Sequence, residues 1–176
     1  MKTTSTKKIT LSAILAAVGV IIILISGVFT TLDLTCAVLA GFCVIIAVIE
    51  VGGFYPYLVY LVCALSSVLL CPNKIAPMLF LLFTGWYPIL KRVIEAYHPV
   101  IVWALKLSAF NIFFGAVVLA STKLALLTEF ALEMKPLVFL VANGAFVLYD
   151  VALTSVITFY LMKIRKMLGL KNFFEN

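Results

Sequence analysis

Charge is scarce in this chain, and its scarcity excludes an ordinary soluble domain. Charged residues occupy 11% of the 176 positions, whereas hydrophobic residues occupy 65% and the mean hydropathy is +1.26. A soluble domain covers its surface with roughly 25% charged residues. Lipid must therefore be the main solvent of this chain, which predicts a membrane protein.

Residues that carry chemistry are also few, and the common catalytic and metal-binding motifs are absent. The sequence has one histidine, His98, and four cysteines without a Cys-x-x-Cys pair. We therefore expect no metal site and interpret the cysteines as small apolar residues. Walker A, His-Glu-x-x-His and Gly-x-Ser-x-Gly motifs are all missing. The sequence thus predicts a protein that is not an enzyme, has no catalytic residues and needs no cofactor.

Six stretches are each apolar enough to cross a bilayer as a helix. A spanning helix needs about 20 apolar residues, and these stretches are continuous apolar runs, which favour helices over a β-barrel. The predicted fold class is all-α: one domain over residues 1–176, a bundle of six transmembrane helices that makes a multi-pass protein of the cell membrane. The predicted helices cover about 9–28, 34–52, 55–71, 76–97, 99–121 and 136–163.

Basic residues predict the orientation of this bundle. An even number of spans places both termini on one side, and most lysines and arginines fall on that side. The positive-inside rule then predicts that both termini are cytoplasmic. The basic tail is interpreted as a topology signal, so nucleic acid is not an expected partner. The basic residues concerned are Lys2, Lys7, Lys8, Lys91, Arg92, Lys163, Arg165, Lys166 and Lys171.

The longest loop, 122–135, lies outside in this topology. Its apolar residues repeat at intervals of three and four, with charged residues between them. This pattern predicts a short amphipathic helix on the outer surface. It is either a lid over a pocket or a passive connector.

Polar side chains within the last two predicted helices mark the candidate site. An ionisable group inside a spanning helix costs about 3 kcal/mol unless it is paired or hydrated. Asp150 lies near the middle of the sixth helix, and Asn143 shares its face because seven residues make nearly two turns. On the fifth helix, Asn111 is level with Asp150, and Lys106 lies nearer the cytoplasm. Either these four residues line an outward-open pocket for a small solute, or Asp150 pairs with Lys106 or Asn111 to fix helix packing.

The first predicted helix carries small residues at helical spacing. Ala13 and Ala17 are four residues apart and Ala16 lies beside them. Such a stripe lets another membrane helix approach closely. The approaching helix belongs either to this chain or to a partner protein.

The segment from Lys7 to Ala17 resembles the start of the substrate-binding (S) components of energy-coupling factor transporters. It reads Lys-Lys-Ile-Thr-Leu-Ser-Ala-Ile-Leu-Ala-Ala, and the chain length and six-helix outline are similar as well. The resemblance implies that Ala13 and Ala17 dock on a separate transmembrane coupling subunit, which two ATPases drive. It also implies that a solute, often a vitamin or metal ion, enters a pocket near the outer face. Rod-shape morphogenesis membrane proteins have a similar outline and form the rival comparison.

Two functions follow as expectations. The first is a membrane-embedded small-solute binding subunit that works with a separate ATP-driven transport module. The alternative is a non-transporting six-helix scaffold of a cell-envelope complex. An outward cavity lined by Asn111, Asn143 and Asp150 would favour solute capture, whereas a filled interior with these groups paired would favour the scaffold.

Overall fold

The computed structural model describes residues 2–95, 99–124 and 136–165. Within these ranges all regular structure is helical, so the all-α prediction is confirmed there. The described residues form two compact units, one that ends at residue 95 and one that begins at residue 99.

The described part of the first unit contains five α-helices, two of which continue into π-helical turns. α1 packs on both α2 and α3, and α2 also contacts α4. The first π turn, Ala47–Val51, extends α2, and the second, Phe80–Thr84, extends α4. The helices are α1 (Lys2–Ser26), α2 (Asp33–Ile46), α3 (Tyr55–Leu70), α4 (Ile75–Leu79) and α5 (Tyr87–Ile94).

Small residues allow α1 and α3 to approach closely. An ideal Cβ on Gly19 would lie 2.6 Å from Cys63 Sγ, so a larger residue at position 19 would push α3 away. The Cys63 thiol donates a hydrogen bond to the Ala16 carbonyl over 3.1 Å. Cys63 is fully buried and therefore acts as a small packing residue, as the sequence predicts.

The fourth predicted helix, 76–97, is interrupted. After the π turn Phe80–Thr84, the chain turns at Gly85 and Trp86 before α5 begins. Pro88 lies in the first turn of α5, where its missing N–H costs no helical hydrogen bond. The break thus precedes Pro88, at a glycine whose added Cβ would meet the Phe80 carbonyl oxygen at 2.8 Å.

Hydrogen bonds to backbone carbonyls connect the second π turn with α2 and α3. Thr84 Oγ1 donates a hydrogen bond to the Ala37 carbonyl on α2 over 2.9 Å. Tyr60 Oη on α3 donates to the Leu81 carbonyl over 2.9 Å. A π turn alters the usual helical hydrogen-bond register. Side chains of α3 and of the turn itself therefore help to fix its geometry.

The described part of the second unit contains α6 (Pro99–Leu124) and α7 (Pro136–Phe159), which continues into a π turn, Tyr160–Ile164. Their starts coincide with the predicted starts at residues 99 and 136. The predicted surface helix over 122–135 lies outside the described residues, except for 122–124, which end α6.

Three helices in the described part are long and apolar enough to cross a bilayer: Ser5–Ser26, Asp33–Val51 and Phe139–Lys163. Two further apolar helices, Tyr55–Leu70 and Val100–Gly115, are shorter. Large apolar side chains such as Ile21 on α1 and Leu148 on α7 are exposed. This exposure is compatible with a lipid environment.

Candidate functional site

A buried ion pair joins α6 and α7 within the second unit. Lys106 Nζ on α6 donates a hydrogen bond to Asp150 Oδ2 on α7 over 2.9 Å. Each of the two side chains is only 4% exposed. The interhelical contact therefore places both charges away from solvent and lipid.

A second polar contact joins the same two helices. Asn143 Nδ2 donates one hydrogen bond to Asn111 Oδ1 over 3.0 Å and another to the Phe139 carbonyl over 2.9 Å. The two amide side chains are half-buried. The structure thus brings all four predicted site residues to one interface, which we call the polar interface: Lys106, Asn111, Asn143 and Asp150.

The pairing answers a question that the sequence left open. Lys106 and Asn111 were alternative partners for Asp150, and the structure pairs Asp150 with Lys106. The lysine stem is long enough to carry its ammonium along the helix surface. The short side chain of Asn111 instead meets the Asn143 amide.

Aromatic side chains lie on the same two helices as the polar interface, and they are not among the residues predicted from the sequence. Lys106 Nζ lies 5.5 Å from the ring centroid of Trp103, a cation–π distance. Phe110 stacks on Phe146 with ring centroids 4.6 Å apart. The spacing in the sequence indicates these neighbours, because residues three or four apart lie on the same side of a helix. Trp103 precedes Lys106 by three residues, and Phe146 precedes Asp150 by four.

The polar interface offers one cation, one anion and two amides, with the Trp103 ring against the cation and further aromatic rings on the same helices. These groups could hold a small polar solute by hydrogen bonds while the rings cover its apolar part. In the structure, the ion pair and the amide pair already satisfy one another. A solute that enters must therefore replace internal hydrogen bonds, which lowers its net gain.

The predicted docking residues lie on the exposed side of α1. Ala13 and Ala17 are exposed, whereas Ala16 is 6% exposed and belongs to the core with α2 and α3. The alanine stripe therefore divides into an inner and an outer part. Within the first unit, only the outer part is left uncovered by α2 and α3.

Nothing among the described side chains suggests a metal centre, since no three His, Cys, Asp or Glu residues come together there. No protein-family model matches the chain, and no curated protein or solved structure matches it either. Function must therefore be inferred from the polar interface and the exposed side of α1.

Proposed function

We propose that this chain is a six-span membrane protein with both termini in the cytoplasm, and that it is a small-solute binding subunit. In this proposal it works with a separate ATP-driven transport module made of a transmembrane coupling subunit and ATPases. The chain itself carries no nucleotide-binding motif. The energy for transport would therefore come from the partner.

The polar interface is the observation that carries this proposal. Asp150 lies within the apolar helix Phe139–Lys163, which is long enough to span a bilayer. Ionisable residues at such depth are costly, and they often mark the path of a solute or an ion. The amides of Asn111 and Asn143 extend the polar surface along the same two helices. Together these groups supply the charged and hydrogen-bonding atoms that a site for a small polar solute needs.

The exposed side of α1 supports the proposal that a transmembrane partner docks on this chain. Ala13 and Ala17 leave a shallow strip that a second helix could approach closely, and small residues favour such contacts in membranes. Neighbouring Ile14 and Val18 are exposed too, so the strip lies within an apolar surface. A transmembrane coupling subunit would cover that surface.

A purification experiment tests the proposal. The native protein is purified in mild detergent from its own cells, and native mass spectrometry identifies bound small molecules and partner subunits. We expect a bound solute in the wild type and its loss in Asp150→Asn, because the site then lacks its anion. Ser155→Ala is the matched control, since Ser155 is exposed on α7 and bonds only within its own helix, to the Val151 carbonyl. Recovery of the wild type without solute or ATPase would contradict the proposal.

One observation favours the second candidate, a membrane scaffold without transport. The four groups of the polar interface satisfy one another in two pairs, as expected if they fix the packing of α6 on α7. A scaffold would co-purify with cell-envelope proteins and without a small molecule. Solute retention by the wild type would exclude this candidate.

A further inference from the structure

The described part of the first unit contains a cavity that is lined by apolar side chains and by one arginine. It has a volume of about 220 Å³ and lies where the π turn after α2, the start of α3 and α5 meet. Its walls include the apolar side chains of Val48, Pro56 and Ile89. Arg92 and Val93 also line it and are both exposed, so the cavity is reached from the surface.

Arg92 supplies a cation at this cavity. Its Nη1 donates a hydrogen bond to the Val48 carbonyl over 3.4 Å, a long contact that leaves most of the five guanidinium N–H donors for another acceptor. The acidic residues close by in sequence do not line the cavity: Glu95 pairs with Lys91 over 2.8 Å, and Glu50 is buried. The charge that faces the cavity is therefore positive.

The residues around this cavity are typical of a segment at the level of lipid headgroups. The chain turns from α2 into α3 through Gly52 and Gly53, and both have positive φ angles of 65° and 60°. The exposed rings of Phe54 and Tyr57 follow and stack with centroids 5.8 Å apart. Tyrosine, with an apolar ring and a polar hydroxyl, is enriched where a membrane meets water. The charge rule predicts that this end of the unit faces the cytoplasm, the side on which anionic lipids concentrate.

We infer that this cavity binds the headgroup phosphate of an anionic phospholipid. The guanidinium of Arg92 matches a phosphate geometrically and pairs with two of its oxygens. The apolar walls take the glycerol and the first methylenes of the acyl chains, which soluble phosphate lacks. The ligand class is thus an amphiphile with a phosphodiester and a net negative charge, without the choline cation that would oppose Arg92, and its source is the membrane itself.

The test is a lipid titration of the full chain in detergent micelles, read by native mass spectrometry. Phosphatidylglycerol is the probe, phosphatidylcholine is the zwitterionic comparison, and inorganic phosphate is the soluble comparison. We expect phosphatidylglycerol to bind best. In Arg92→Gln its apparent affinity should fall at least about tenfold, the loss expected for one charge-assisted hydrogen-bonded contact, and Arg92→Lys should lie between the two.

Two further variants separate this site from general attraction to a basic surface. Val93→Phe fills the cavity from an exposed position and keeps Arg92, so it should also weaken phosphatidylglycerol binding. Lys8→Gln removes a charge near the start of α1 and should bind like the wild type. Equal binding of both lipids, binding of inorganic phosphate alone, or full affinity in Arg92→Gln or Val93→Phe would overturn the inference.

Discussion

At the scale of single residues, Asp150 shows the conflict between burial, which disfavours a charge, and the charge that a carboxylate carries. Its carboxylate and the Lys106 ammonium are each 4% exposed, so neither is hydrated by bulk water. A buried ion pair gains little over an apolar pair, yet the loss of one partner costs about 3–5 kcal/mol because the other charge remains buried. The pair should therefore behave as a unit.

This coupling yields a stability prediction. Asp150→Asn keeps the side-chain shape but leaves Lys106 buried without its counter-ion, so the melting temperature in detergent should fall. Lys106→Met in the same chain should restore most of the loss, because no charge is then buried. Thermal unfolding of the two single variants and the double variant measures the coupling. Additive losses would show that the two side chains do not act as a pair.

The sequence predicted which polar residues share a face of the last helix, but it did not decide between their partners on the neighbouring helix. Counting along a helix places Asp150 and Asn143 on one face. The rotation of one helix about its axis relative to another is set by packing, and here Phe110 stacked on Phe146 contributes to it. That rotation decided that Asp150 meets Lys106. Sequence spacing alone left Asn111 as an alternative partner.

At the scale of whole helices, α1 has one face that packs in the core and one face that is exposed. Its inner face holds Ala16 and Gly19 against α2 and α3. Its outer face holds Ala13 and Ala17, which are exposed. The alanine pattern indicated close packing, but it could not assign each alanine to a face.

Substitutions on the two faces should therefore have different effects. Ala13→Leu or Ala17→Leu should abolish recovery of a partner subunit without loss of folded protein, because added methylenes obstruct a close helix contact at a cost of roughly 1–3 kcal/mol. Ala16→Leu should instead lower the yield of folded protein. Ala152→Leu, at an exposed alanine on α7, is the control for added bulk. Unchanged partner recovery from both outer variants, judged by affinity purification, would argue against docking.

The fourth predicted helix shows what hydrophobicity cannot reveal. An apolar run predicts helical length, and the run 76–97 was long enough for a single span. The chain divides it at Gly85 and Trp86, directly after a π turn in which the backbone hydrogen bonds shift register. Thr84 fastens that turn to the Ala37 carbonyl. This contact across 47 residues of sequence leaves no local pattern.

At the scale of the whole molecule, the number of spans determines where the termini lie. Three described helices have full spanning length, and two apolar helices are shorter. Short helices still cross a bilayer when the membrane thins or when flanking segments complete the span. An even count puts both termini on one side, whereas three spans would put them on opposite sides. The distribution of basic residues favours the even count.

Cysteine labelling of intact cells decides between these counts. The native cysteines are all buried, which limits their background reaction with a membrane-impermeant maleimide. We expect Thr3→Cys and Phe174→Cys to react only after the cells are permeabilised, since the basic ends should be cytoplasmic. Thr128→Cys, in the predicted outer loop, should react in intact cells and serves as the positive control. Reaction of Thr3→Cys or Phe174→Cys from outside would contradict the six-span topology, and reaction of one alone would indicate an odd number of spans.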